Sequence, residues 1–310
     1  MSKQKSSWIR KVLLVLVSDV GLCALMYGYI AAASLWGRES IQVDGVERSY
    51  RVYVPTSYVG TTPAPMVLIF HMYSGSGKTM EWITHFNEVA EQNGFIAVYP
   101  DGYKMSWAEG SNLYAADQEQ INDITFVSAL INKLEGQFAL DTARIYATGF
   151  SSGGIMVQRL GCELSDRIAA IATVGAVLTK NVLKNCAAEN PMSVLMINGV
   201  DDHGVPWEGD SDYSSVPATV AYWVENNECD NVSDKSQDPD IADDGTRVEH
   251  ETYTNCLGNT TVTLYSISGS GHTWPGGNQP AQLWGLLAGK ISRDIDASVV
   301  VWKFFEGQSR

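Results

Sequence analysis

The chain has 310 residues, enough for one large domain or two small ones with a buried core. Hydrophobic residues make up 45% and charged residues 18%, which excludes a disordered chain. A formal net charge of −14 excludes nucleic acid as a partner, because neutralising phosphates needs clustered Lys and Arg.

The first eleven residues carry Lys3, Lys5, Arg10 and Lys11 and no acid. An apolar run follows to Trp36, interrupted by Asp19. This pattern predicts an export signal over residues 1–36, with Ala31-Ala32-Ala33 as an A-x-A cleavage site. The alternative is an uncleaved signal anchor, since the run approaches the length of a membrane span. Either leader places the remaining domain, residues 37–310, outside the cytoplasm, and a membrane is a partner only if the leader stays attached. Beyond the leader stand Cys162, Cys186, Cys229 and Cys256. An even count in an exported chain predicts two disulfides with three possible connectivities, of which local pairing, Cys162–Cys186 and Cys229–Cys256, is favoured; the rival is four buried free thiols. No two of these cysteines have C-x-x-C spacing, so no zinc cluster is expected.

"IQVDGVERSYRVYVP" alternates around Asp44-Gly45 and predicts a hairpin. The continuous apolar run Pro65 to Phe70 predicts a buried strand, followed by a glycine-rich turn and a helix near Met80 to Gln92. "GFIAVYP" is a second buried strand. Phe126, Leu130, Ile131 and Leu134 recur at helical spacing in the next segment. "ARIYATGF" predicts a strand and "GGIMVQRLGCEL" a helix; "AAIATVG" and "SVLMING" are further buried strands. Helical "ATVAYWVENN", strand-like "VTLYSI" and helical "DASVVVWKFF" close the chain. The acidic stretch from Asp230 to Gly245 reads as a solvated loop, and its carboxylates lack the spacing of an EF-hand calcium loop. Buried strands alternating with helices predict a mostly parallel sheet covered on both faces, an α/β fold.

Between strand and helix, Gly149-Phe150-Ser151-Ser152-Gly153 fits G-x-S-x-G, the nucleophile elbow. A plain reading needs only a tight turn. In a strand-turn-helix, however, the turn lifts the Ser151 hydroxyl above the sheet edge, and the backbone N–H of Ser152 can hold a developing oxyanion. A serine nucleophile needs a histidine base and an orienting acid later in the chain. His203, His250 and His272 follow Ser151. His272 lies in the loop "GSGHTWPGG" after a strand, whereas His250 lies in the charged segment "RVEHETY", which reads as exposed. Asp201 and Asp202 both follow the strand "SVLMING", and spacing alone leaves either one open as the acid. "SGSGKT" from Ser74 to Thr79 is similar to a phosphate-binding loop, but Met72 stands where that pattern needs glycine.

Three segments in order, "RIYATGFSSGG", "INGVDDHGVPWEG" and "GSGHTWPGG", resemble the nucleophile, acid and histidine segments of the poly(3-hydroxybutyrate) depolymerase-like and feruloyl esterase group of α/β-hydrolases. "GFIAVYPDG" and "SWAEG" match as well, and the resemblance runs from about Ile41 to Phe305. It implies the α/β-hydrolase fold and a triad of Ser151, Asp202 and His272. In the group the acid lies three residues after a strand-end glycine and four before a proline, so with Gly199 and Pro206 the resemblance implies Asp202 rather than Asp201. No metal or organic cofactor is implied. The group has His-Gly where this chain has His71-Met72-Tyr73, so the second oxyanion donor falls to Tyr73, with Met72 as the rival. Trp107, Trp207 and Trp274 flank these segments and are expected to line a partly apolar substrate groove. The expected function is an exported serine esterase acting on feruloyl or acetyl esters of polysaccharide, or on polyhydroxyalkanoate-type esters. The rival from another class is a non-catalytic, hydrolase-fold binding protein.

Overall fold

The seven residues Ala64–Phe70 are buried without exception, so this strand, β3, can sit only inside a sheet covered on both faces. The computed structural model describes residues 37–279 and 288–310, and the leader expected over 1–36 lies outside the described residues. Glu39–Arg310 forms one compact unit.

The hairpin around Asp44-Gly45 joins β1 (Arg38–Val43) to β2 (Val46–Tyr53). Then come β4 (Ile96–Pro100), β5 (Leu140–Phe150), β6 (Ala170–Val174) and β7 (Ser193–Gly199), followed by β8 (Asp234–Gln237), β9 (Arg247–Tyr253) and β10 (Val262–Ser268). The ten strands form one sheet in the order β1-β2-β4-β3-β5-β6-β7-β10-β9-β8. From β4 through β10 neighbouring pairs are parallel, while β2–β4, β10–β9 and β9–β8 are antiparallel.

Helices cover both faces. On one face lie α4 (Asp123–Glu135), α5 (Ser152–Glu163) and α7 (Val216–Asn226), which bury Phe126, Leu160 and Trp223. On the other lie α1 (Gly77–Thr84), α2 (Phe86–Asn93) and α8 (Ala297–Glu306), which bury Met80, Phe86 and Phe305. The short helices α3 (Ala115–Gln118) and α6 (Lys180–Asn185) sit in connections. The parallel strands all end at one edge, where their loops meet; in open α/β sheets that edge carries the ligand site.

Two expectations need correction. The helix expected over Met80 to Gln92 is two helices, broken at His85, whose φ is +53°. Carbonyls that would continue the ladder are taken from outside: Ile83 O accepts from the Asn278 N–H and Thr84 O from the Ser298 hydroxyl. The acidic stretch also does more than loop, because it contains β8, which pairs with the charged segment that forms β9.

Candidate active site

β5 ends at Phe150 and α5 begins at Ser152, so Ser151 makes the turn alone. Its backbone sits at φ 56° and ψ −130°, a conformation that costs a residue with a side chain on the order of 1–3 kcal/mol. Both flanks hold it there. Ser151 N–H donates to Val174 O at 3.0 Å, and Ser151 O accepts from the Ile155 N–H at 2.9 Å. Gly153 is required for space: a Cβ there would lie 2.5 Å from the His71 carbonyl oxygen and would also strike that of Phe70. The elbow and the loop after β3 therefore touch through bare backbone.

The loop after β10 brings His272 to Ser151, with Nε2 2.7 Å from Oγ. On the ring's other side, Nδ1 is 2.7 Å from Asp202 Oδ2. A carboxylate only accepts, so Nδ1 carries the proton and Nε2 is left to accept from the serine hydroxyl. Asp202 is buried, and its second oxygen accepts the N–H groups of Gly204 at 2.7 Å and Val205 at 2.8 Å. The imidazole is also sandwiched. Phe150 stacks on it with centroids 5.0 Å apart, and a Cβ at Gly204 would sit 2.9 Å from its Cγ.

Asp201, the rival acid, is exposed and turned away; its Oδ2 accepts from the Gly269 N–H at 2.8 Å and so ties down the loop that carries His272. His203 is exposed. His250 lies on β9, stacked on Tyr265 and 2.7 Å from Ser236 Oγ, and is not brought to Ser151.

Ser152 is the first residue of α5, so its N–H lies at the helix end where backbone donors lack intrahelical partners. In the neighbouring loop, burial pushes the His71 imidazole down to about 4, so the ring is neutral. Its Nδ1–H donates to Met72 O at 2.7 Å and its Nε2 accepts from the Gly102 N–H at 2.8 Å. Met72 O also accepts from the Gly75 N–H at 3.0 Å. That carbonyl shares a trans peptide plane with the Tyr73 N–H, which must point the opposite way. Among the described residues the Tyr73 N–H meets no acceptor. The Met72 side chain is buried in the core layer with Met80, Ile83 and Phe86.

Two of the three expected groove tryptophans are core residues. Trp107 is fully buried, donating from Nε1 to His71 O at 2.8 Å and packing on Phe70. Trp274 is fully buried too, with Nε1 bonded to Ser298 Oγ at 3.1 Å. Neither offers a face to a substrate; their indole N–H groups found partners inside the protein. Trp207 remains half-buried and lines a groove. Sequence reasoning passed over Glu109, inside the "SWAEG" segment. It is fully buried, and desolvation pushes its carboxyl up to about 8. Ser111 donates to Oε1, whereas Oε2 has no partner among the described residues. Tyr114, whose ring stacks on Tyr73 at 4.3 Å, and Tyr213 both feel its charge.

The glycine-rich "SGSGKT" turn opens α1, and the Gly77 N–H donates to Asp101 Oδ1 at 2.8 Å, so a carboxylate of the chain fills the place a phosphate would take. The disulfides are Cys162–Cys186 and Cys229–Cys256. Among the described residues no helix is long and apolar enough to cross a membrane, and no three His, Cys, Asp or Glu side chains gather as a metal site.

No family model matches the chain. A relative from Nocardia uniformis subsp. tsuyamanensis, named "Putative esterase NocK", is 28% identical over 81% of this chain and 77% of its own length. Feruloyl esterase B of Piromyces equi is 28% identical over 73% of this chain, a match that spans only 42% of that longer protein. Among solved structures, an acetyl xylan esterase from Aspergillus awamori superposes with a TM-score of 0.55 at 13% identity, covering 76% of this chain and 94% of that one. The chain has the α/β-hydrolase fold, and in sequence it is similar to relatives named as esterases and feruloyl esterases.

Proposed function

We propose that the protein is an exported serine carboxylester hydrolase in which Ser151, His272 and Asp202 form the triad. The observation that carries this reading is the unbroken run of two 2.7 Å contacts from Ser151 Oγ through the imidazole to the buried Asp202. Ser151 Oγ attacks the ester carbonyl while His272 Nε2 takes its proton. The tetrahedral oxyanion is held by the N–H of Ser152 and, from the opposite loop, by the N–H of Tyr73. His272 returns the proton to the leaving alcohol, and a water deprotonated at the same Nε2 then releases the acyl group. Asp202 keeps the ring in one tautomer and stabilises its charged form. The Met72 carbonyl is held by the His71 imidazole and the Gly75 N–H, which turns the Tyr73 N–H the opposite way and supports Tyr73 as the donor, with Met72 the rival.

The substrates proposed are feruloyl or acetyl esters on polysaccharide, in keeping with the names of the relatives, or polyhydroxyalkanoate-type esters. The leader and the two disulfides support export to an oxidising compartment. The test is hydrolysis of methyl ferulate, an acetylated xylan oligomer and a 3-hydroxybutyrate oligomer beside the Ser151→Ala variant. Turnover of one substrate that vanishes in the variant is expected; turnover that survives the substitution rules out Ser151 as nucleophile.

A further inference from the structure

Tyr73 carries an exposed ring on the loop whose backbone is proposed to hold the oxyanion. An exposed side chain on a loop keeps one position only where a neighbour packs on it. Here that neighbour is Tyr114, stacked on Tyr73 with ring centroids 4.3 Å apart and planes 20° from parallel. The turn beneath the stack is strained. Ser74, directly after Tyr73, sits at φ +62°, outside the ordinary region for a residue with a side chain. Such a conformation persists only where its surroundings over-determine it. The Met72 carbonyl and the Ser74 N–H supply part of that restraint, the second by donating to Met105 O at 2.9 Å. The ring stack supplies a further part, from the side chain of Tyr73 itself.

Tyr114 can brace this turn because it is anchored elsewhere. It immediately precedes α3, and its carbonyl accepts from the Gln118 N–H at 3.0 Å. That short helix is fixed within the segment after β4. The Ala116 N–H donates to Ser106 Oγ at 3.1 Å, and the Asp117 carboxylate accepts from the N–H groups of Gly110 at 3.0 Å and Asn112 at 3.1 Å. The Tyr114 hydroxyl also interacts with that of Tyr213, a buried residue of the segment after β7 that carries Asp202. Tyr213 is held in turn, its N–H donating to Asp210 Oδ1 at 2.9 Å. Tyr114 thus ties the segments after β4 and β7 to the loop after β3.

We infer that Tyr114 is a positioning residue for ester hydrolysis: through its stack on Tyr73 it keeps the Tyr73 N–H in the orientation of a second oxyanion donor. The inference rests on the reading of Tyr73 as that donor. It gives Tyr114 no contact with substrate. The restraint lies wholly within the protein, so its effect is the same for every ester whose carbonyl reaches Ser151.

The experiment measures kcat and KM of the full chain on p-nitrophenyl acetate and p-nitrophenyl butyrate. The variants are Tyr114→Ala, Tyr114→Phe, His71→Ala and the double variant His71→Ala with Tyr114→Ala. Tyr114→Ala is expected to lower kcat roughly fivefold on both esters with KM kept, a population shift within what one aromatic stack supports. Tyr114→Phe retains the ring and should recover the rate. Because His71 and Tyr114 act on one peptide, the double variant should lose no more than His71→Ala alone. A change in KM alone, or a loss confined to the butyrate, overturns the inference by making the ring a substrate contact. Losses that multiply in the double variant overturn it by making the two effects independent. If His71→Ala lowers kcat and Tyr114→Ala does not, the donor stands and the inference falls. If neither lowers kcat, the assignment of Tyr73 as donor falls with it.

Discussion

His71 Nδ1 donates to the carbonyl oxygen of its own neighbour Met72 at 2.7 Å, and that bond sets the direction of the Tyr73 N–H on the far side of the same peptide plane. A side chain buried in the core thereby fixes the orientation of the backbone N–H proposed as the second oxyanion donor. His71→Ala frees the peptide to turn. The expected result is a fall in kcat of roughly 10²-fold, the scale of losing one oxyanion donor, with KM little changed. Unchanged kcat in a folded variant would mean that Tyr73 is not held by this bond.

The same imidazole makes stability depend on acid. Its folded value, about 4, lies below the 6.5 of an exposed ring. Stability from the neutral ring is therefore complete above pH 6.5 and is lost as pH falls from there to about 4. The loss is on the order of 3 kcal/mol. Urea unfolding between pH 7 and 4 should show this slope, and His71→Gln, which cannot titrate, should flatten it.

Asp202→Asn should disable turnover without unfolding the chain. The two N–H donors of Gly204 and Val205 demand an acceptor, so the amide oxygen takes their side and the NH₂ group faces His272. That NH₂ forces Nδ1 to accept, moves the imidazole proton to Nε2, and leaves no base for the serine. A drop of about 10⁴-fold in kcat is expected, with the thermal midpoint nearly kept. A steady-state assay beside a melting curve separates this from misfolding.

Glu109 works in the opposite sense from His71. Its folded value, about 8, lies above the ordinary 4.5, so the proton is held more tightly in the folded state. Stability therefore declines as pH rises from 4.5 to about 8 and is flat beyond. Glu109→Gln removes the decline, gaining on the order of 5 kcal/mol at alkaline pH and almost nothing at pH 4. Equal effects at both ends of the range would refute the assignment.

The Cys162–Cys186 bond closes a 24-residue separation between α5 and the end of α6. Replacing both cysteines with alanine should lower unfolding free energy by about 3 kcal/mol. Because Cys162 lies at the far end of α5 from Ser151, kcat at 25 °C should hold. Denaturant titration and initial rates on the same preparation test both halves.

How much of this was legible in the sequence varied with the physical cause. Strands β3 to β7 announce themselves because burial on both faces demands unbroken apolar runs. The elbow was legible because a backbone-to-backbone approach leaves no choice but glycine. The break at His85 was hidden, since it arises from Asn278 and Ser298 taking helix carbonyls from about two hundred residues away. Strand β8, "DKSQ", is exposed at every position and shows no apolar alternation to read. Trp107 and Trp274 misled for a related reason: a motif says that an aromatic is near the site, not which side of its loop it occupies.

Ser151 carries a further consequence through its φ of 56°. Glycine adopts that backbone without strain, so a Ser151→Gly chain should melt later than the active one. Durability and reactivity pull against each other at this residue. Any selection for heat resistance alone would then tend to erase the very hydroxyl that the rest of the turn is built to present.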